Sequence, residues 1–484
     1  MSDKFDAVII GSGIGGLTCA ALLARSGMRV CVCEQHSRIG GYTHSFTRGN
    51  FVFEPAVHAV SVGKQGFIRF LLGILGKENA LKTIEHPFMY SLTTPHGSFY
   101  MPSGMRNIVP ALNDSFPQER GNLRRMLTDM RELYHSLAVP FFSEVIRPAD
   151  RDLSCLARYG TRSFKEYVDS YIDDERLREI FYAQWIFSGS SPETAPALSA
   201  AMAFYVHALE GVHYIQGGSQ QLAQVLRDYI VEQGGSVRTA CRVRSLCAEQ
   251  KSVRAVMLDS GEAVEADWFV SNISPYLLYG GLIAPESQSA RMRRRLDNLQ
   301  PSVSAVAVYL GLHGPVETLG KRTIHLQTSC ASQLEVCRRM VSGNADPADN
   351  VLLLRPPQQA QKPVAMLMTF LPGTQQADWH AVKDRYVEQL LVQGELMAPG
   401  LREQIAWCEG ATPQTFERYT GNTAGALYGF VSDRDRYCSA RMPATTHLTN
   451  LFQTGHYTIP GGGVYNVMES AVHTAGLILT RGQD

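Results

Sequence analysis

Short apolar runs and longer amphipathic runs follow one another up to residue 35. Residues 6–10 predict a buried strand, residues 17–26 form an Ala- and Leu-rich helical pattern, and residues 29–34 predict a second strand. A glycine-rich turn at residues 11–16 separates the first strand from the helix. This order of elements predicts a βαβ unit of the dinucleotide-binding type.

The turn reads Gly-Ser-Gly-Ile-Gly-Gly, and Gly11, Gly13, Gly15 and Gly16 are its candidate cofactor-binding residues. Gly11 permits a tight turn, Gly13 lets the backbone approach a pyrophosphate, and Gly16 permits close packing of helix on strand. Unpaired N–H groups at the start of the helix would face the anion. Glu34 ends the second strand, where its carboxylate can accept hydrogen bonds from an adenosine ribose and would repel a ribose phosphate.

A second glycine pair, Gly40–Gly41, follows shortly after Glu34. Glycine there lets another stretch of backbone approach the pyrophosphate and ribityl chain of a cofactor longer than NAD. The pair therefore favours FAD as the cofactor.

Residues 214–275 are predicted to belong to the same nucleotide-binding domain. The Gly217–Gly218 pair precedes an amphipathic helix, and strands are predicted around residues 237–247, 253–258 and 266–270. We assign Val243, in the first of these strands, to the cofactor site.

Residues 447–484 are also predicted to belong to this domain. Residues 450–454 predict a strand, and a helix from about Tyr465 to Leu479 follows a glycine-rich turn. Backbone N–H groups at a helix N-terminus suit the electron-rich end of an isoalloxazine ring. The candidate cofactor-binding residues of this part are Gly455, Pro460, Gly461, Gly462 and Val464.

The two intervening stretches carry no second GxGxxG, which argues against a separate pyridine-nucleotide domain. The first is helical and aromatic-rich in pattern, and the second contains strand-like runs at residues 303–312 and 364–370. We predict an α/β fold with two domains. A discontinuous Rossmann-type FAD-binding domain (residues 1–65, 214–275 and 447–484) carries an inserted α+β substrate domain (residues 66–213 and 276–446).

Composition and charge limit the kinds of partner that the protein is expected to bind. Lys plus Arg equals Asp plus Glu at 45 each, so the chain has no global positive field for nucleic acid. Ten cysteines occur without a CxxC pair, which indicates neither a zinc site nor a disulfide scaffold and favours a reducing cytoplasm. We expect no metal, no signal peptide and no membrane span. Residues 66–76 are apolar enough to lie peripherally in a membrane interface, with burial in the core as the alternative.

Several blocks carry a family resemblance. They are GxGxxG with Glu34, the Gly40–Gly41 pair, Tyr214 with Gly217–Gly218, the Ser271–Asn272 turn, and Gly455 with Pro460–Gly461–Gly462. In this order they resemble the FAD-binding blocks of the phytoene desaturase, carotenoid isomerase and retinol saturase flavoproteins. Residues 53–58, Phe-Glu-Pro-Ala-Val-His, resemble the Phe-Asp-x-Gly-Val-His stretch of the retinol saturase branch, from which Glu54 and Ala56 depart.

The resemblance implies an FAD-dependent oxidoreductase acting on carbon–carbon double bonds of a long hydrophobic polyene or isoprenoid-like substrate. Saturation or cis/trans isomerisation is favoured, and oxidative desaturation is the alternative within the class. The electron donor or acceptor stays open. Amine oxidation on the same fold stays open too, as does a non-enzymatic binding protein of the GDP-dissociation-inhibitor fold, against which the retained glycine turns argue.

Two residues are the candidate catalytic groups. His58 has an imidazole that can give or take a proton, and it follows the first cofactor blocks. Tyr457 follows Gly455, where the family pattern brings the chain against the flavin. His456 and Glu469 are weaker candidates, since each can equally be a packed or locally paired side chain.

Overall fold

The computed structural model describes residues 4–64, 66–137, 154–357, 362–375, 377–436 and 441–482. The strands are β1 (Phe5–Ile10), β2 (Val30–Cys33), β3 (Phe46–Arg48), β4 (Phe51–Phe53), β5 (Thr83–Glu85), β6 (Phe88–Thr94), β7 (Gly97–Pro102), β8 (His213–Ile215), β9 (Ser236–Arg238), β10 (Val243–Glu249), β11 (Ser252–Leu258), β12 (Ala263–Ser271), β13 (Ser304–Leu312), β14 (Ile324–Gln327), β15 (Val351–Leu354), β16 (Val364–Leu371), β17 (Ile405–Ala411) and β18 (Leu451–Gln453).

The longer helices complete the architecture. They are α1 (Ile14–Arg25), α2 (Phe67–Ile74), α3 (Met105–Ser115), α4 (Arg120–Leu137), α5 (Ser154–Tyr159), α6 (Phe164–Asp169), α7 (Glu175–Tyr182), α8 (Ala197–Glu210), α9 (Gln220–Glu232), α10 (Ala290–Asp297), α11 (Gln333–Val341), α12 (Trp379–Met397), α13 (Pro413–Thr420) and α14 (Val464–Arg481).

The first sheet has the strand order β10-β11-β12-β1-β2-β9, with β18 beside β12. The strands β18, β12, β1, β2 and β9 run parallel, and β10 and β11 extend the sheet in antiparallel fashion. All four residues of β2 are buried, as expected for a parallel strand covered on both faces. The helices α1, α9 and α14 share one core with this sheet. The Rossmann-type α/β fold is thereby confirmed.

The strand predicted around residues 237–247 is in fact two strands. Residues 236–238 pair in parallel with β2, whereas residues 243–249 pair in antiparallel fashion with β11. Ala240 lies between them with a φ of 50°, a left-handed conformation that ends one strand before the other begins.

The second sheet has the order β17-β13-β16-β15-β14-β6-β7. Its strands β13 and β16 lie where the sequence predicts strands, and every residue of β13 is buried. The helix α12 packs on one face, and helices of the first insertion pack on the other. The hairpin β6–β7 was missed, because this insertion has a largely helical pattern. Thr94-Pro-His-Gly97 forms its turn, and Gly97 adopts a φ of 122°.

Two short segments pack across the predicted boundary between domains. The hairpin β3–β4 packs on the second sheet, where the ring of Phe51 lies against Gly311. The helix α2 instead joins the core of the first sheet through its buried side chains Phe67, Ile68, Leu71 and Leu72. The division at residues 65, 213, 275 and 446 stays a prediction.

The apolar segment at residues 66–76 is therefore largely part of a core, although Phe70 is exposed. Within the described ranges, no helix is both long and apolar enough to cross a membrane.

Candidate active site

A cavity of about 960 Å³ lies between the two sheets. On one side it is lined by residues that follow the parallel strands of the first sheet, among them Gly11, Glu34 and Asn272. On the other side it reaches residues of β14, β15 and β16. The carboxyl end of a parallel sheet is the usual place of a ligand site in α/β folds.

The glycine turn after β1 forms one wall of the cavity. Gly11 has a φ of +95°, and Gly13 precedes helix α1. No side chain caps this helix, and its first turn has no acidic residue, so its N–H groups are available to an anion. The N–H of Gly40 donates to the carbonyl oxygen of Ser12 at 3.0 Å, which joins the second glycine pair to the first turn.

Glu34 is held in place by three donors. Its Oε2 accepts from the backbone N–H and the hydroxyl of Ser12, each at 2.7 Å, and its Oε1 accepts from the N–H of His36 at 2.8 Å. The carboxylate lines the cavity, as does the side chain of Val243. Because a carboxylate offers about four acceptor positions, Glu34 can still accept from a ligand hydroxyl.

Asn272 has a role that the sequence did not reveal. Its amide fills the space that three glycines leave open, since a Cβ at Gly13 or Gly15 would lie 2.7 Å from an atom of that amide and a Cβ at Gly455 would lie 2.5 Å from its Oδ1. These glycines are therefore needed for packing around Asn272 as well as for any approach to a cofactor. Asn272 appeared in the sequence only as part of a family block.

Gly16 acts behind the wall of the cavity. A Cβ there would overlap the carbonyl oxygen of Gly11, so this glycine permits the close approach of helix to strand that the sequence predicts. Neither Gly16 nor Gly455 is among the residues that line the cavity, whereas Gly41 is.

The glycine-rich turn before α14 forms the opposite wall. Pro460, Gly462 and Val464 line the cavity, and Gly461 faces the guanidinium of Arg441 instead. Gly463 precedes the helix with a φ of +96°, and no side chain caps this end of α14. A second uncapped helix N-terminus therefore faces the same cavity.

Tyr457 is a packed side chain at the edge of the cavity. Only 3% of its surface is exposed, and its ring contacts those of Phe430 (centroids 4.9 Å apart) and His456 (4.4 Å). Burial raises the pKa of the Tyr457 phenol far above its usual value, so the phenol stays protonated at neutral pH. Its catalytic role stays a prediction.

His58 lines the cavity with both ring nitrogens free of hydrogen bonds to described residues. The nearest carboxylate is that of Glu54, whose Oε2 lies 4.0 Å from His58 Nδ1. Burial, assisted by the neighbouring His86, lowers the pKa of His58 to about 3, so the imidazole is neutral near pH 7.

Beyond the glycine turns the cavity continues as an apolar limb. It is lined by Ile186, Phe187, Leu198, Met202, Val206, Ile324, Leu352, Leu354, Met368 and Phe370. The imidazole of His207 interrupts this surface and packs against the ring of Phe187 at 4.8 Å. Such a limb excludes water from an apolar ligand.

FAD fits the residues that form the other half of the cavity. Glu34 can accept from ribose hydroxyls, the α1 N-terminus with Gly41 offers N–H groups to a pyrophosphate, and the α14 N-terminus offers them to the electron-rich edge of a flavin ring. Gly463 leaves this approach open, because a Cβ there would meet no atom within 4 Å.

Comparison with known proteins decides the family. The family model of the flavin-containing amine oxidoreductases matches residues 14–479. The chain belongs to this family. It is thus an FAD-dependent oxidoreductase, and the expected FAD cofactor is confirmed. The alternative of a non-enzymatic binding protein is set aside.

The chain is also similar, over nearly its whole length, to a curated relative and to solved structures. The 4,4'-diaponeurosporene oxygenase of Staphylococcus aureus (strain MW2) is 24% identical over 494 aligned positions, covering 98% of both chains. An oxidoreductase from Methanosarcina mazei matches 98% of this chain and 100% of its own, with a TM-score of 0.67 and 16% identity. Putrescine oxidase bound to putrescine matches 99% and 100%, with a TM-score of 0.67 and 18% identity. The two solved structures show a shared fold.

The structure gives new weight to two acidic residues, Glu54 and Glu469. Glu54 was quoted from the sequence only as a departure from a family motif, yet it is 6% exposed and adjacent to His58. Glu469 lines the cavity from α14, and burial raises its pKa to about 7. No sequence pattern marks a carboxyl group as buried, so the burial of both is known only from the fold.

Proposed function

We propose that this flavoenzyme exchanges a hydride and a proton at carbon–carbon double bonds of a long, apolar polyene or isoprenoid-like substrate. The observation that carries the proposal is the apolar limb, which opens directly onto the half of the cavity that fits FAD. A bound substrate would lie among aliphatic and aromatic side chains, with few polar groups to satisfy.

The similarity to 4,4'-diaponeurosporene oxygenase, a carotenoid-pathway enzyme, supports the same substrate class, because it extends over 98% of both chains. Saturation or isomerisation remains our favoured outcome and desaturation the alternative, as the resemblance of residues 53–58 suggests.

The chain's own residues would bind the cofactor, orient the substrate and shield it from water. The α1 N-terminus and Glu34 would hold the nucleotide half of FAD, and the α14 N-terminus would stabilise negative charge at the flavin end. When bound, FAD supplies the hydride chemistry. The apolar limb would keep water from the reacting carbons, and His58, neutral and without a hydrogen bond to a described residue, would move the accompanying proton.

The test is anaerobic turnover with the flavin-loaded enzyme. Reduced enzyme would be mixed with polyenes of graded length, and oxidised enzyme with the same compounds, while the flavin spectrum and the products are followed. Reoxidation of the flavin by a polyene indicates saturation, bleaching indicates desaturation, and conversion without net flavin change indicates isomerisation. If no polyene or isoprenoid reacts in either redox state, the proposal is wrong.

Amine oxidation is a second candidate, and one observation favours it. Glu469 lines the cavity, and among the described residues no cation lies near enough to oppose the effect of burial on its pKa. A buried carboxylate without a cation could bind a substrate ammonium group. Mono- and diamines therefore belong in the same experiment, together with Glu469→Gln. Bleaching of the flavin by an amine, abolished in that variant, would replace the polyene proposal.

A further inference from the structure

Glu54 and His58 lie on a loop that the fold holds at three points. The hydroxyl of Tyr309 donates to the carbonyl oxygen of Pro55 at 2.9 Å, and Nε2 of His86 donates to the carbonyl oxygen of His58 at 3.2 Å. Val60 then exchanges two backbone hydrogen bonds with His213, both at 2.9 Å. The loop therefore presents the two side chains from a rigid base.

The hydrogen-bonding capacity of the pair is only partly used. Oε1 of Glu54 accepts from the N–H of Ser219 at the start of α9. Oε2 of Glu54 and both ring nitrogens of His58 are buried and make no well-aligned hydrogen bond to a described residue, although the backbone of Glu54 lies close enough to His58 to raise its pKa slightly against the effect of burial. The side chains are 6% and 8% exposed. Buried polar atoms without partners are rare and point to a ligand or to a functional role.

The separation of the pair suits a proton relay that tightens on substrate binding. Oε2 of Glu54 and Nδ1 of His58 are 4.0 Å apart, and catalytic hydrogen bonds are commonly long before the reacting complex forms. His58 is among the residues that line the cavity and Glu54 is not, so a proton from Glu54 would reach a bound substrate through His58.

The charges around the pair decide where its proton rests. Burial raises the pKa of Glu54 to about 7, while it lowers that of His58 to about 3. The nearby titratable groups are His86, with a pKa lowered by burial to about 4, His213, whose pKa is also lowered, and Tyr214, whose pKa is raised. All three are neutral near pH 7, so nothing in this set holds Glu54 ionised.

We propose that Glu54 is a positioning residue that supplies the proton which His58 passes to the substrate. This inference rests on the proposed function. Glu54 Oε2–H gives its proton to Nδ1 as Nε2–H gives its proton to a substrate carbon, so one C–H bond forms and a Glu54 carboxylate remains. The hydride that the adjacent carbon needs in a saturation comes from reduced flavin. In a desaturation both transfers run in reverse.

The first test uses flavin-loaded enzyme without substrate. Infrared difference spectra between the wild type and Glu54→Gln isolate the stretching band of one protonated carboxyl group. We expect the band to disappear with a midpoint near pH 7, and we expect His58→Gln to shift that midpoint, because the two groups interact. A midpoint at the ordinary value for Glu, or one that His58→Gln leaves in place, would overturn the proposal.

The second test is the pH profile of proton-dependent turnover. In the saturation direction the wild-type rate should fall as the pH rises through about 7, since Glu54 then loses its proton. Glu54→Gln should lower the rate about 10- to 100-fold at pH 6 and abolish this dependence, while Glu54→Asp should restore it in part. Glu210→Gln, which removes a buried carboxyl group outside the cavity lining, is the matched control.

A purely structural role for Glu54 gives a different result. Gln can still accept from the N–H of Ser219, so in that case Glu54→Gln would keep the wild-type pH profile. The two proposals also fail separately. A coupled titration without polyene turnover contradicts the proposed function alone, and turnover with an unchanged profile in Glu54→Gln contradicts the relay alone.

Discussion

The two halves of the cavity are built from different materials. The half that fits FAD depends largely on backbone, since glycine turns and two uncapped helix N-termini border it, and Glu34 adds a carboxylate. The apolar limb is made of side chains contributed by α8, by residues 186–187 and by three strands of the second sheet. Backbone requirements are strict and local, whereas an apolar surface tolerates exchange of one hydrophobic residue for another.

The largest effect should come from breaking the backbone-built half. In Gly16→Val the new side chain would overlap the carbonyl oxygen of Gly11, which we expect to cost upward of about 3 kcal/mol and to abolish flavin binding. Flavin content and denaturant unfolding measure this. Gly476→Val is the control, because a Cβ at Gly476 meets no atom within 4 Å. Retention of flavin in Gly16→Val would show that the close helix–strand approach is dispensable.

Glu34 tests the polar contribution to the same half. Glu34→Gln keeps the size of the side chain and removes its charge, so we expect FAD to bind about 10- to 100-fold more weakly, as for the loss of a charged hydrogen bond. Titration of the apoprotein with FAD measures the change. Glu232→Gln, at an exposed position, should leave the affinity unchanged. Equal affinities of Glu34→Gln and the wild type would contradict the assignment of the ribose to Glu34.

A change in the apolar limb should weaken substrate binding and leave flavin binding unchanged. Ala203 lines the limb from α8, and Ala203→Leu should raise KM for the longest polyene about 10-fold while flavin content stays unchanged. Shorter substrates should lose less. Leu209→Met, exposed on the same helix, serves as control. An equal loss for short and long substrates would argue against the limb as the substrate site.

The smallest effect concerns the stability contributed by a buried carboxyl group outside both halves of the cavity. Glu210 ends α8 next to Gly63 and Gly66, and burial raises its pKa to about 8. A raised carboxyl pKa stabilises the folded state at low pH, and this contribution is lost as the pH rises from about 4.5 to about 8. Relative to the wild type, the free energy of unfolding of Glu210→Gln should therefore increase by about 1 kcal/mol or more between pH 5 and pH 9.

Thermal unfolding of both proteins at several pH values measures this difference. Other titrating groups contribute equally to the two curves, so parallel curves would show that Glu210 has an ordinary pKa.

The same contrast explains what the sequence could predict. The turn at Gly11–Gly16, the acid at the end of β2 and the helix after residue 463 were predicted because each needs particular residues at fixed spacing. An aromatic-rich substrate domain was predicted, but not which residues line the limb, because Phe187, Met202 and Met368 look like ordinary core residues until the fold places them around one cavity. The hairpin β6–β7 was missed since its neighbours have a helical pattern.

The roles of Glu54 and Asn272 could not be predicted from their neighbours in the sequence either. Burial of a carboxyl group beside His58, and the packing of one amide among Gly13, Gly15 and Gly455, depend on segments far apart in the chain. Sequence spacing carries no information on such long-range contacts. It did predict a role for the pair Gly40–Gly41, because that pair follows shortly after Glu34.

The packing of Asn272 between early and late glycines also sets a schedule for biosynthesis. Gly15 and helix α1 leave the ribosome long before Gly455, β18 and the α14 helix that packs on α1. The nascent first sheet therefore lacks one strand and one covering helix during most of translation. We therefore expect flavin loading to be a late step, because a ribosome stalled before residue 455 would carry a chain without the helix that follows Gly463.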